Sequence, residues 1–335
     1  MSYSFFGTCF EDKEILVDCL ISMANQSLVP NEIIIIDSSK KPINCNLFDD
    51  IFDRKKTSIK YENIKLPRVE ALNYAISKSN SDYLFRFDTR TRFSRNYAEE
   101  ALKLLNKKNI SKIAIGGVGG RQSTCPANES NNAKIAANIM DRAYIFGNPL
   151  YRRMEYSGVV NSIYLGCYPK KVLEETPFRE EISLISEDSQ LCQDIISKGY
   201  LIYMSKKLKL KYLCRQNIIN VLKLFRTYGR CRARTIISAK TIHDKKKYIL
   251  ILIMVLIIPI LNFIIFKEKI FFSILFILLV PLSYNIFHEI RDYGYKKIFY
   301  MPVLGLIAQL NWGLGLIETF IFFKFIKSNK SNYLK

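Results

Sequence analysis

The amino-acid sequence predicts an α/β protein: a doubly wound parallel sheet followed by an α-helical membrane region. Two observations predict it. Over roughly the first hundred residues, short β-branched and aromatic runs alternate with segments of helical period. Beyond Lys247, two long stretches carry no charge at all. With 335 residues, 49% hydrophobic and 24% charged, the chain is too apolar for a disordered tail and long enough for a full-sized core.

Residues 2–9 form an apolar and aromatic run, read as a strand, and 15–27 place Leu16, Cys19, Leu20 and Met23 at helical spacing. Residues 32–37 hold four consecutive isoleucines, the pattern of a strand buried on both faces, and end at Asp37 before Ser38 and Ser39, where a loop opens. A helix fits 69–79, a strand 83–87 ending at Asp88, and a further helix 97–105. This β-α-β-α-β-α order implies parallel strands. In open α/β sheets the ligand site lies at their carboxyl ends, where Asp37 and Asp88 both fall. Gly117-Val118-Gly119-Gly120-Arg121 lacks the spacing of a P-loop or a dinucleotide fingerprint; it reads as a turn, with close approach to a diphosphate as the other reading.

Residues 248–266 are nineteen positions without one charge, and 270–287 are a second such run; a bilayer core takes about 20 residues per helix. A third stretch, 299–323, is long enough to cross but carries Gln309, Asn311, Glu318 and the run Trp312-Gly313-Leu314-Gly315. Between Lys206 and Lys247 stand fourteen Lys or Arg against one acid, Asp244, so thirteen of the twenty net positive charges occupy one eighth of the chain. Beside a membrane span such a segment reads as a surface lying on anionic headgroups, at about 1 kcal/mol per basic residue. A solvated charge run or a nucleic-acid patch is the competing reading, and no nucleic-acid motif supports the latter. Lys245, Lys246 and Lys247 put the start of the first span on the cytoplasmic side. Three crossings would leave Lys324, Lys327, Lys330 and Lys335 outside; two crossings plus a re-entrant or interfacial segment would keep them inside. No basic-then-apolar signal peptide opens the sequence. The expected organisation is thus a cytosolic domain over 1–235 with basic interfacial helices over about 206–247, a membrane region of two or three helices over 248–325, and a basic tail over 326–335.

The eight cysteines never fall at a C-x-x-C spacing, and the two histidines are His243 and His288, which argues against a zinc site or a disulfide framework.

The stretches E-I-I-I-I-D-S-S (32–39), R-V-E-A-L-N-Y-A-I (68–76), Y-L-F-R-F-D-T-R (83–90) and S-E-D-S-Q-L-C-Q-D-I-I-S-K-G-Y (186–200) resemble, in order and spacing, the family 2 glycosyltransferases. The likeness covers most of residues 1–235 and implies a GT-A fold, a Rossmann-like nucleotide-diphospho-sugar transferase domain. F-G-N (146–148), Y-L-G-C-Y (164–168) and L-F-R-T-Y-G-R-C-R-A-R (224–234), followed by membrane spans, look like the branch that builds succinoglycan and related exopolysaccharides.

The resemblance implies roles for single residues, each with a plainer alternative. Asp37 would accept the uracil N3–H of a nucleotide, or cap its loop; the second acid usual after this strand is replaced by Ser38. Arg68 and Asn73 would line the nucleotide pocket, or be a solvated cation and a local hydrogen-bond partner. Asp88 stands where the family has an acid-x-acid motif, but here the third place is Arg90. Either Asp88 alone anchors Mg²⁺ or Mn²⁺ held mostly by diphosphate and water, or Arg90, helped by Arg92, supplies the positive charge; a turn acid beside a solvated arginine is the plain alternative. Glu187-Asp188 precede a helix over 189–198 that Gly199 stops. Asp188 matches the family's base, which takes the acceptor hydroxyl proton, and would also serve as a helix cap. Where the family often has arginine in that helix, this chain has Gln193. Glu187 and Gly166 would lie on the acceptor side, with Gly166, Cys167 and Tyr168 ending a strand. Arg226, Tyr228 and Arg230, with Gly229, would bind diphosphate or a lipid pyrophosphate from an interfacial helix, or touch headgroups alone.

Taken together, the likeness implies an inverting hexosyltransferase, multi-pass in the inner (cytoplasmic) membrane with its catalytic domain in the cytosol. It would move sugar from a nucleotide-sugar donor, a UDP-sugar foremost, to a lipid-linked oligosaccharide in exopolysaccharide, capsule or O-antigen synthesis. The length favours one transfer per encounter over synthesis coupled to export. A second class of function is a non-catalytic donor-binding or scaffold subunit of a polysaccharide assembly complex; Ser38 and Arg90 point to it, and Asp37, Asp88 and Asp188 point away. A nucleic-acid-binding membrane protein is the third class, and no nucleic-acid partner is expected.

Overall fold

The computed structural model describes residues 1–106, 113–153, 155–180, 187–238 and 270–326. The chain divides into two compact units: Met1–Ala137 with Asn148–Gln216, and Asn138–Gly147 with Asn217–Lys335.

The first unit is a mixed α/β sheet. Its strands are β1 (Tyr3–Cys9), β2 (Glu32–Asp37), β3 (Ser58–Asn63), β4 (Tyr83–Asp88), β5 (Thr91–Phe93), β6 (Ile115–Cys125), β7 (Gly158–Val159), β8 (Cys167–Pro169) and β9 (Leu201–Leu213). Among the described residues they make one nine-stranded sheet in the order β3-β2-β1-β4-β8-β6-β9-β5, with β7 beside β9. The strands β3, β2, β1 and β4 run parallel, in agreement with the strand-helix alternation. The expectation of a wholly parallel sheet fails beyond β4: β6 and β9 run parallel, but β8 is antiparallel to both β4 and β6, and β5 and β7 are antiparallel to β9.

The helices are α1 (Lys13–Ala24), α2 (Asn46–Ile51), α3 (Arg68–Lys78), α4 (Tyr97–Leu105), α5 (Asn131–Asp141), α6 (Lys170–Glu175) and α7 (Glu187–Ser197). Helices α1, α2 and α4 cover one face and α3, α6 and α7 the other, which is why Ile33–Ile36 can all be fully buried. Strand β4 shows how the alternation sorts side chains. Phe85 and Phe87 join Leu16, Cys19, Tyr97 and Ala98 in the core under α1 and α4. Leu84 joins Val69, Leu72, Leu191 and Ile195 in the core under α3 and α7. Arg86 and Asp88, two and four residues on from Leu84, therefore belong to the α3–α7 face.

The glycine run 117–121 is no turn; it lies inside β6, and the reason is steric. A Cβ on Gly117 would stand 2.7 Å from the Tyr168 ring, and one on Gly120 only 1.6 Å from the Leu208 carbonyl oxygen, where the β6–β9 register slips by a bulge. At the N-terminal end of the sheet, buried Glu32 accepts hydrogen bonds from Ser4, Ser79, Ser81 and the Asn80 amide, with Lys60 on its other oxygen. Burial pushes the Glu32 carboxyl up, but Lys60 and these donors outweigh it and bring it down to about 2.

In the second unit, α8 (Ile218–Ser238), α9 (Ile270–Tyr293) and α10 (Met301–Ile326) are the long helices described. Helices α8 and α10 cross at small residues: a Cβ on Gly229 would stand 1.9 Å from the Trp312 carbonyl oxygen, and one on Gly315 2.0 Å from that of Arg226. The Arg142 guanidinium is paired with Glu289 at 2.9 and 3.1 Å, and Tyr144 donates to the same carboxylate at 3.0 Å, all three buried. The polarity of α9 and α10 is inverted relative to a water-facing helix. Val280, Phe287, Val303, Ile307, Leu310, Leu314 and Ile321 are exposed, while Asn285, His288, Glu289 and Thr319 are buried.

Among the described residues one helical stretch, Met301–Ile321, is long and apolar enough to cross a membrane by length and composition, with a mean hydropathy of 1.3. The expected span 270–287 falls in α9, whose residues 270–277 are described by backbone alone. The expected span 248–266, the basic residues Lys240–Lys247 and the tail beyond 326 lie outside the described residues.

Candidate active site

The carboxyl end of β4 meets the first turns of α3 and α7, and their charged residues form one chain of ion pairs. Asp88 closes β4, Arg68 opens α3 behind Pro67, and Glu187 and Asp188 open α7, where acids suit the positive end of a helix. Arg68 donates through Nε to Glu187 Oε1 at 2.9 Å and through Nη2 to Asp88 Oδ2 at 3.3 Å. Arg86, 1% exposed, donates through Nη2 to the same Glu187 oxygen and through Nη1 to Asp188 Oδ1. The sequence of charges is Asp88, Arg68, Glu187, Arg86, Asp188, with signs alternating throughout. Burial pushes the Glu187 carboxyl up, but Arg68 and Arg86 outweigh it and bring it down to about 2. Glu187 is therefore a fixed anion and a pivot between two cations.

Gly166 shapes the rim. With φ +78 after Leu165 at φ +57, it turns the chain tightly, its carbonyl accepts the Arg86 amide at 3.0 Å, and Tyr164 comes within 3.1 Å of the Thr91 hydroxyl. Gly166 leads into β8 and does not end a strand. Burial pushes the Tyr164 phenol far up, and the neighbouring Asp88 adds to it.

Other residues singled out in the sequence have different partners. Asp37 is paired with Cys9, and Asp88 with the adjacent Thr8, on opposite sides of β1, so the two acids stand two strand spacings apart, about 10 Å. Asp37 is fully buried; its oxygens accept the Ser39 amide and the Tyr61 hydroxyl, both at 2.9 Å. That is the loop-fastening reading, and Ser38 completes it by donating to the Ile64 and Leu66 carbonyls. Asn73 exchanges hydrogen bonds through its amide with the Phe178 backbone, at 2.8 and 3.0 Å. Arg90 pairs with Asp12 at 3.0 Å and its backbone amide donates to Asp88 Oδ1, while Arg92 pairs with Asp18 at 3.0 Å. In the second unit, Arg226 and Arg230 both grip Glu318 of α10, and Tyr228 meets the Phe225 ring edge-on at 6.1 Å.

Three participants have no assigned role in the sequence reading: Arg86, Tyr164 and Asp12. Arg86 carried a signal, a cation inside the apolar run Tyr83-Leu84-Phe85-Arg86-Phe87 and two places before Asp88. Nothing local marks Tyr164 or Asp12.

Among the described residues no group of three or more His, Cys, Asp or Glu is placed to hold a metal. The donor set at Asp88 is one carboxylate among guanidinium groups. Such a set fits Mg²⁺ only in its usual phosphate-bound form, with one carboxylate and the remaining places filled by phosphate and water.

The mixed α/β sheet has the GT-A-like glycosyltransferase fold. The chain is similar to S. aureus TarS 1-349, at 11% identity and a TM-score of 0.51, covering 96% of this chain and 91% of that one. The complex of TarS 1-349 with UDP gives 12% identity, a TM-score of 0.51 and coverages of 96% and 91%; the complex with UDP-GlcNAc gives 12%, 0.50, 96% and 92%. Against a longer TarS structure, the chain spans 54% of that chain's length. No family model matches the sequence, and no curated protein does. At these identities the likeness speaks for the fold, and it gives no support to the succinoglycan branch in particular.

Proposed function

We propose that the protein is an inverting glycosyltransferase of the family 2 type that takes sugar from a nucleotide-sugar donor, a UDP-hexose foremost. The observation that carries this reading is the alternating cluster Asp88–Arg68–Glu187–Arg86–Asp188 at the carboxyl edge of the parallel strands of a GT-A-like sheet. TarS structures with that fold hold UDP and UDP-GlcNAc, which supports a nucleotide-sugar donor here.

The mechanism follows from what each group is able to do. A sugar nucleotide leaves as a diphosphate, so negative charge grows at the leaving oxygen. Arg68, 43% exposed and opening α3, meets a diphosphate with its guanidinium and with the helix N-terminus behind it. Asp88 would hold the Mg²⁺ or Mn²⁺ that travels with such a diphosphate, and the ion supplies neutralising charge to the leaving group. Asp188, 20% exposed, accepts the acceptor hydroxyl proton as that oxygen bonds to the anomeric carbon.

The same proposal sets the protein in the cytoplasmic membrane, with residues 1–235 in the cytosol, 248–325 in the bilayer and a lipid-linked saccharide as acceptor in exopolysaccharide, capsule or O-antigen synthesis. The inverted polarity of α9 and α10 supports it, since hydrocarbon suits exposed Val, Ile, Leu and Phe and drives Asn285, Glu289 and Thr319 inward. Exposed Lys223 and Arg230 on α8 supply contacts for anionic lipid headgroups. Membranes containing the protein, given a panel of nucleotide sugars with and without lipid-linked acceptor, should release nucleoside diphosphate in step with acceptor. Donor binding without release would instead make the protein a scaffold subunit.

A further inference from the structure

Arg86 is a cation that stability alone does not call for. It is 1% exposed on β4, between the buried Phe85 and Phe87, where burying an ion costs several kcal/mol and an apolar residue of like volume often serves stability as well or better. Its guanidinium lies 5.2 Å from the centre of the Phe178 ring, the ring whose backbone Asn73 fastens. One terminal nitrogen reaches Glu187 and the other Asp188, and Nε is buried with no hydrogen-bond partner among the described residues. A buried donor left without a partner costs about 1–3 kcal/mol and calls for an explanation.

We propose that Arg86 is the positioning residue of the transfer reaction. It fixes Asp188 at the first turn of α7 and, through Glu187, ties that base to Arg68, the group that meets the diphosphate. The inference rests on the glycosyl-transfer reading. In the step it serves, the acceptor O–H proton passes to Asp188 and the oxygen pair forms the bond to the anomeric carbon. The bond from that carbon to the diphosphate oxygen breaks, its pair leaving with the diphosphate. Arg86 keeps its proton throughout, since a guanidinium does not give one up in this range. Its contribution is geometric. An ammonium at this place would keep the charge but lose the two-pronged reach to both acids.

The test uses the full chain in membranes and follows UDP release from a panel of UDP-sugars with a lipid extract as acceptor, beside calorimetric UDP binding. Arg86→Met should lower kcat about 100-fold, the scale of a displaced catalytic group, with donor KM and UDP affinity within threefold of wild type. Arg86→Lys should stay within tenfold of Arg86→Met. Should Arg86→Met fail to fold, Arg86→Met with Glu187→Met also removes the buried carboxylate left in excess of its cations, and that pair should fold and remain slow. Wild-type kcat in Arg86→Lys or in the double variant overturns the proposal. So does a raised KM at unchanged kcat, which would make Arg86 a donor contact. A wild-type protein that releases no UDP overturns the parent reading and this one together, whereas an active wild type indifferent to Arg86 overturns this one alone.

Discussion

Glu187→Gln tests the charge chain at its pivot. The side chain is 7% exposed and lies between Arg68 and Arg86, which hold its carboxyl at about 2 against an ordinary 4.5. At ~1.4 kcal/mol for each pH unit, that difference amounts to ~3 kcal/mol of stabilisation at neutral pH. Glutamine keeps the volume and removes the charge, leaving Arg86 buried against one acid only, so a loss of about 3 kcal/mol is expected. In a domain of this size each kcal/mol moves the melting temperature by about 2–4 °C, giving a fall of about 6–12 °C. The sign with pH follows from the depressed value. The stabilisation is complete above pH 4.5 and is lost as pH falls from there towards 2, so wild type should weaken in that window and Glu187→Gln should weaken less. Thermal unfolding by circular dichroism at pH 7 and pH 3, with labelling of the buried Cys192 thiol on α7 at pH 7, measures both effects. Equal melting temperatures at pH 7, or an unchanged slope between pH 4.5 and 2, would refute the account of Glu187 as a doubly paired anion.

Glu32→Gln should cost about 2–3 kcal/mol at neutral pH, a difference from wild type that closes as pH falls from 4.5 towards 2, because Glu32 is held at about 2 by Lys60 and its amide and serine donors; UDP affinity should be unchanged, since Glu32 opens the strand that Asp37 closes. Gly229→Val should break the α8–α10 crossing, at a cost above the ~1–3 kcal/mol of ordinary overpacking because the clash is with Trp312 backbone. The single tryptophan gives the readout: Trp312 emission should shift to the red, and an unchanged spectrum and melting temperature would remove the tight crossing. Exhaustive chelation of divalent ions should lower UDP release at least tenfold, with recovery on adding Mg²⁺ or Mn²⁺; full activity without them would remove the metal from Asp88.

The parallel half of the sheet was legible because its signals are local. Four isoleucines in β2 fit only a strand covered on both faces, and the period of α1 and α3 is carried by residues within one helix. The other half was not, because its order is set by pairing between distant segments: β8 has three residues and joins β4 to β6 across stretches that nothing nearby predicts. Strand β3, four half-buried residues between exposed ends at the sheet edge, gives too weak a pattern to separate from a loop. The glycines of β6 give an ambiguous signal for a physical reason. Glycine marks both turns and close approaches, and only the partner, Leu208 or Tyr168, tells them apart. At the site the acids were legible from their places at element ends. Their connections were not, since Arg86 and Asp188 are 102 positions apart and the choice between solvated and paired arginines depends on what folds against them.

The placement of Arg68 would let one arrangement serve both the ligand-free state and the proposed reaction. A cation at the first turn of a helix opposes the helix dipole, so Arg68 stands there only because Asp88 and Glu187 offset that cost. The two contacts are unequal: Glu187 is buried and close at 2.9 Å, whereas Asp88 is 22% exposed and 3.3 Å away. A diphosphate carries more charge than one carboxylate and is also favoured by the α3 N-terminus, so it competes for Arg68 at its weaker contact. In the proposed reaction, exchange at that contact would release an oxygen of Asp88 as phosphate arrives. The hold on Glu187, and through it on Arg86 and Asp188, is left in place. On the proposed reading, a site wired in this order would recruit its donor at one end without loosening the base at the other, a property that a simple pair of carboxylates would lack.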